Sequence, residues 1–332
     1  MKTAVLSDGA WGTALALLLV QNGHQVTQWG PFPEYVTEMR RTRRNDRFLK
    51  GVELPPALGL TGVMAEAVAG AELIVLASPT QYARATLLQL KAVGLGANQV
   101  LVNVAKGIEI GTLKRLSEMC AEILGNATYC VLSGPSYAEE VAHGVPTVVV
   151  VASANRDHRR VVQDLLMSPR FRVYTSDDVV GVELGGALKN VFAIAAGICD
   201  GMKLGDNAKA ALLTRGVAEM ARLGQALGGR PETFSGLSGL GDIIVTCTGR
   251  YSRNRHVGEE LGKGGKLADI IKSMGMVVAE GVTTTQSAHA LAQRLGVPTP
   301  IISEVYAGLY EGKDARAAVR DLMTRSARPE RD

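Results

Sequence analysis

Short runs of apolar and β-branched residues at 3–6, 25–29, 73–77, 99–103, 128–132 and 147–151 alternate with helical segments. In those segments, at 13–21, 81–93, 113–124 and 157–167, apolar residues recur at helical spacing. No other feature constrains the fold as strongly. Most of the runs are linked by a helical crossover, and that builds a mostly parallel sheet covered by helices on both faces. The unbroken run Val148-Val149-Val150-Val151 fits a strand buried on both faces. Past about residue 178 the pattern is helical only, at 180–202, 207–227, 253–261, 284–295, 301–310 and 315–323. The expectation is an α/β chain: a sheet domain over 1–178, then an all-helical domain over 179–332.

The first run leads directly into Ser7-Asp8-Gly9-Ala10-Trp11-Gly12-Thr13-Ala14, and a helix follows. Glycines at this point of a Rossmann-like domain let the backbone approach a pyrophosphate held at the helix N-terminus. Gly9, Ala10, Trp11 and Gly12 are therefore candidate dinucleotide contacts. Ser7 occupies the first glycine position of GxGxxG, where its Cβ would strain the turn. Asp8 adds a negative charge beside a site for a doubly charged group. The second run ends in Gln28-Trp29-Gly30-Pro31, without the acid that reads an NAD ribose or the arginine that reads an NADP phosphate. NAD and NADP thus remain equal candidates.

A net charge of +4 is too small to argue for nucleic acid, and no array of basic and aromatic residues accompanies it. The run Arg40-Arg41-Thr42-Arg43-Arg44 is either a solvated helix end or phosphate-facing. Four cysteines without CxxC spacing read as buried free thiols in a reducing compartment. The apolar stretch 14–20 is far shorter than the ~20 residues of a membrane helix, and no leader is visible. A cytoplasmic protein is expected. No HExxH, paired-cysteine or EF-hand spacing suggests a metal.

Hydride transfer to a carbonyl needs a proton donor within hydrogen-bond reach of the developing alkoxide. The five histidines form no cluster. Lys189 is the better candidate, because it lies in an otherwise small and apolar helical segment, Leu184-Gly185-Gly186-Ala187-Leu188 and Val191-Phe192-Ala193. Burial there would lower its pKa towards neutrality. Gly185 and Gly186, one turn earlier on the same side, are expected to leave room for a ligand. The bland alternative is a lysine whose stem packs on the core. Lys106 follows the run 99–103, at the strand end where open α/β sheets bind ligands. Asp242 closes the glycine-rich loop 236–241 and could equally be a helix cap.

Several segments, in order, resemble the bacterial NAD(P)-dependent glycerol-3-phosphate dehydrogenase family. They are Trp11-Gly12-Thr13-Ala14, Asn103-Val104-Ala105-Lys106-Gly107-Ile108-Glu109, Leu132-Ser133-Gly134-Pro135-Ser136-Tyr137-Ala138-Glu139-Glu140 and Val182-Glu183-Leu184-Gly185-Gly186-Ala187-Leu188-Lys189-Asn190-Val191. Further along come Leu204-Gly205-Asp206-Asn207-Ala208-Lys209-Ala210, Gly236-Leu237-Ser238-Gly239-Leu240-Gly241-Asp242, Ser252-Arg253-Asn254-Arg255 and Val278-Ala279-Glu280-Gly281. The resemblance implies Lys189 as acid/base, Lys106 between substrate and coenzyme, and Asp242 in the substrate site. It implies Gly134 and Ser136 on the substrate, and Ala138, Val278 and Glu280 along the coenzyme. Ser252, Arg253 and Asn254 would form a phosphate cradle of hydroxyl, guanidinium and amide, with Arg253 also touching coenzyme. The implied reaction interconverts dihydroxyacetone phosphate and sn-glycerol 3-phosphate with NAD or NADP, for phospholipid synthesis. A homodimer is compatible with it. Two alternatives stand beside this reading: a related hydroxy-acid dehydrogenase, and a dinucleotide sensor that has lost catalysis.

Overall fold

The computed structural model describes residues 1–96, 99–125, 127–276, 278–327 and 329–330. Ten strands form among them: β1 Lys2–Leu6, β2 Gln25–Trp29, β3 Arg44–Asn45, β4 Leu49–Glu53, β5 Gly59–Thr61, β6 Leu73–Leu76, β7 Val100–Asn103, β8 Thr128–Ser133, β9 Thr147–Ala152 and β10 Phe171–Ser176. Eight make one sheet in the order β10-β9-β8-β7-β6-β1-β2-β5, and β3 pairs with β4 as a separate hairpin. The main sheet is parallel except where β8 meets β9 antiparallel. The reversal arises because residues 134–146 hold only the short helix Ala138–Ala142. That connection lacks a full crossover helix, and the chain turns back beside β8.

Strand order reverses at β1, which has β2 on one side and β6 on the other. A crevice for ligand lies outside the carboxyl ends of strands at such a switch point. The Gly-rich turn follows β1, Gly30 follows β2, Lys106 lies beyond β7 and Gly134 follows β8. The sheet thus delivers every candidate of the first domain to one edge.

The helix Val179–Gly201 begins three residues after β10 and forms the axis of everything that follows. Asp178 caps it through the Gly181 N–H at 2.8 Å. Its apolar length would suffice to cross a membrane, but its central stretch Gly181–Gly197 is buried inside the protein. Gly197 and Gly258 let the helix Arg253–Gly262 lie directly on it. A Cβ on Gly258 would run into the Ile194 carbonyl oxygen, and one on Gly197 into that of Arg255. Small residues at facing positions are what permit this backbone approach. Glu183 ties the axis to the sheet domain: its carboxylate accepts from Arg115 at 2.7 Å, the Ser117 N–H at 2.8 Å and the Tyr129 hydroxyl at 2.6 Å.

Candidate active site and coenzyme cleft

Lys189 and Asp242 come from different helices of the second domain, and Lys106 comes from the first. The three meet. Lys189 Nζ donates to Asp242 Oδ1 at 2.9 Å and to Thr246 Oγ1 at 2.7 Å. Lys106 Nζ donates to Asp242 Oδ2 at 2.6 Å and to the Gly134 carbonyl at 3.0 Å. One carboxylate therefore serves two ammonium groups, and the cluster keeps a net positive charge. An ammonium has three N–H donors. Each lysine commits two of them among the described residues, so each has one left for a ligand.

Burial pushes the pKa of the Lys189 ammonium below the ordinary lysine value; Asp242 opposes this and Lys106 adds to it. For Asp242, burial works against the charged form, but the two ammonium groups prevail and hold its carboxyl below the usual range. An acid that gives up its proton more readily than free lysine suits proton transfer near neutrality.

The glycines before Lys189 do not leave room for a ligand. A Cβ on Gly185 would lie 2.7 Å from the Ser238 carbonyl oxygen, and one on Gly186 would lie 2.6 Å from Ser133 Oγ. The space is taken by protein: the π-helical turn Leu237–Gly241, which delivers Asp242, and the end of β8. The expectation is corrected: Gly185 lets the turn that carries Asp242 pack closely within the helical half, and Gly186 lets the end of β8 approach from the sheet half.

The triplet Ser252-Arg253-Asn254 also differs from a row of three side chains aimed at one anion. It starts a helix, and successive residues on a helix point in different directions. Ser252 caps that helix by accepting from the Arg255 N–H at 3.2 Å. Asn254 turns inward, donating to Asn190 Oδ1 and accepting from the Gly281 N–H, both at 2.9 Å. Arg253 is exposed, with one contact to the Val278 carbonyl at 3.1 Å. The anion-binding potential here comes from Arg253 together with the helix N-terminus.

Ser136 folds back onto the Gly134 carbonyl at 2.9 Å. Ala138 opens the short helix after β8 and is buried. Glu280 caps the helix Thr80–Val93 from across the cleft, accepting the Thr80 N–H at 3.1 Å. Burial raises the pKa of its carboxyl, and the Thr80 N–H opposes the rise.

The Gly-rich turn fits a dinucleotide. The helix Ala10–Gln21 has no side-chain cap and no acid in its first turn, so its N-terminus is open to an anion. A Cβ on Gly12 would lie 2.9 Å from the Ser7 carbonyl oxygen and 3.1 Å from the Ala77 methyl. The Trp11 indole nitrogen and the Thr80 and Thr284 hydroxyls are buried without partners among the described residues. Ser7 does take a strained backbone, with φ +152°. Its carbonyl is held by Gln28 Nε2 at 2.8 Å, that of Asp8 by Asn45 Nδ2 at 2.7 Å, and the Gly9 N–H donates to Ser7 Oγ at 3.1 Å. Gln28 and Asn45 were not legible as partners of this turn, because neither lies near it in sequence.

Residues 2–159 match the family model for the N-terminus of NAD-dependent glycerol-3-phosphate dehydrogenase, and residues 178–320 match that for its C-terminus. Glycerol-3-phosphate dehydrogenase (NAD(P)+) of Geobacter metallireducens is 53% identical over 333 residues, spanning 99% of both chains. That of Geobacillus kaustophilus is 52% identical, spanning 99% of this chain and 96% of its own. The crystal structure of the Coxiella burnetii glycerol-3-phosphate dehydrogenase is 39% identical, with a TM-score of 0.94 over 97% of this chain and 98% of that one. D-mandelate dehydrogenase, at 14% identity and a TM-score of 0.63 over 98% of this chain and 100% of its own, shares the fold alone.

Proposed function

The chain belongs to the NAD-dependent glycerol-3-phosphate dehydrogenase family, and from that premise we propose how its own residues carry out the reaction. It is an oxidoreductase that reversibly interconverts dihydroxyacetone phosphate and sn-glycerol 3-phosphate with NAD or NADP. When bound, the coenzyme supplies or accepts the hydride. The observation that carries the rest is the buried Lys106–Asp242–Lys189 cluster at the carboxyl edge of the sheet.

In reduction, the remaining N–H of Lys189 donates to the substrate carbonyl oxygen and passes its proton as the alkoxide forms. Lys106 holds the same substrate from the coenzyme side. Asp242 fixes both ammonium groups and keeps Lys189 charged until the proton moves. Arg253 and the N-terminus of its helix take the phosphate, with Asn254 as support through its backbone. Gly134 and Ser136 close the substrate side, while Gly9, Ala10, Trp11, Gly12, Ala138, Val278 and Glu280 line the coenzyme. The domain boundary falls at 178/179, so the reacting groups assemble between the two domains.

The test is loss of NADH absorbance when dihydroxyacetone phosphate is added to the pure protein. Turnover of that ketone above lactate- or mandelate-type keto acids supports the reading; turnover of those acids alone would replace it with the hydroxy-acid alternative. The product class suits glycerophospholipid synthesis in the cytoplasm, with a free small molecule as substrate and a second copy of the chain as the proposed partner. The homodimer is tested by sedimentation at assay concentration.

A further inference from the structure

The carboxylate of Asp8 does not face the turn that would take the pyrophosphate. It is 3% exposed. Its Oδ2 has no hydrogen-bond partner among the described residues and lies 2.9 Å from where a Cβ on Gly30 would stand. Gly30 directly follows β2, the strand end at which dinucleotide folds place the acid that reads the adenosine ribose. In this chain no side chain of β2 does so. Gln28 turns back to Ser7, and the Trp29 indole donates to the Gly62 carbonyl at 3.2 Å. A Cβ on Gly30 would also lie 2.7 Å from Val36 Cγ2, so the missing side chain lets a carboxylate from the end of β1 pack against the end of β2, where the acid of other dinucleotide folds stands.

Resting on the dehydrogenase reading, we propose that Asp8 is the coenzyme-specificity residue: its carboxylate accepts the adenosine 2′-hydroxyl and repels a 2′-phosphate, so that the enzyme prefers NADH to NADPH. Three nearby guanidinium groups keep their charge but are directed elsewhere by the protein. Arg40 donates to the Leu60 carbonyl at 2.7 Å, and Arg43 donates to the carbonyls of Leu54, Pro55 and Leu58. Arg47, whose charge favours ionised Asp8, lies over the Tyr35 ring at 3.9 Å. Burial pushes the Asp8 carboxyl up to about 6. An unpartnered, desolvated carboxylate gains from any hydroxyl donor that reaches it.

Titration of the wild-type protein and Asp8→Asn with NADH, NADPH and the 2′-deoxy analogue of NADH, by fluorescence at pH 8, tests the proposal. Wild type should bind NADH more tightly than NADPH, and the 2′-deoxy analogue about tenfold more weakly than NADH. In Asp8→Asn the NADH-to-NADPH preference should shrink by about tenfold or more. An unchanged preference in the variant overturns the role of Asp8. Wild type that favours NADPH, or binds the 2′-deoxy analogue as well as NADH, overturns it whether or not the variant folds. Wild type that binds none of the three overturns the dehydrogenase reading itself.

Discussion

Lys189 cannot be replaced by a residue of similar size without losing its chemistry. Lys189→Met keeps most of the stem and removes the donor to Asp242 and Thr246. General acid catalysis contributes about 10²–10⁴-fold, so kcat should fall by that range while NADH binding persists. Turnover close to wild type would remove Lys189 from the reaction. Arg253 presents a different case, since its guanidinium is exposed and lightly engaged. Arg253→Lys replaces a planar fork with a point charge. KM for dihydroxyacetone phosphate should rise about tenfold or more, and unphosphorylated dihydroxyacetone should change little. Equal losses on both substrates would show that Arg253 does not read the phosphate. Lys106, Lys189 and Asp242 were legible because each sits in a distinctive local string. The inward turn of Asn254 was not, since its partners Asn190 and Gly281 are distant in sequence. Nor was the direction of Asp8, which depends on a glycine just after the next strand.

The elements follow the same division. Strands buried on both faces declared themselves as apolar runs, as β6 and β7 do; β9 follows them except at Val148, which is exposed. The sheet edges did not. β5 is only Gly59–Thr61, and β10, Phe171–Ser176, alternates buried Phe171 and Val173 with exposed Arg172 and Tyr174. The helix Pro33–Thr42 was hidden by its polar composition, with only Tyr35, Val36 and Met39 buried. Of the basic run at its end, Arg40 and Arg43 hold carbonyl groups of the following segment, while Arg41 and Arg44 are exposed. The tightest element contact is between the helices Val179–Gly201 and Arg253–Gly262. Gly258→Ala would force a methyl into the Ile194 carbonyl, and overpacking of this kind costs about 1–3 kcal/mol or more. The thermal midpoint should drop by several degrees, and kcat should fall with it because the same axis carries Lys189. A midpoint equal to wild type would mean that the helices separate easily.

For the whole molecule, stability should carry a pH signature from Glu219. This residue is 2% exposed, and its two carboxylate oxygens accept the Ile302 and Ile301 N–H groups at 2.8 and 3.0 Å, at the start of the helix Pro300–Tyr310. Burial pushes its carboxyl up to about 7 from the ordinary 4.5, against the pull of those two N–H groups. Between those values the folded chain holds a proton that the unfolded chain has lost, so unfolding free energy falls as pH rises. The shift corresponds to about 3 kcal/mol across the window. Denaturant unfolding of wild type and Glu219→Gln at pH 5 and pH 8 isolates the effect. Wild type should lose stability relative to the variant on going to pH 8; a constant difference would mean that Glu219 titrates normally.

Asp242 is shared by a lysine from each domain, and this makes the catalytic apparatus a conjunction. The sheet domain alone would present Lys106 without its counter-ion. The helical domain alone would hold Lys189 and Asp242 as a closed pair, with no coenzyme platform opposite. Neither half contains a weaker version of the enzyme. Change in one half is therefore answerable to the other. A substitution that shifts the end of β7 alters the environment of a proton donor encoded more than eighty positions later, and the two halves must be inherited, and must drift, as one unit.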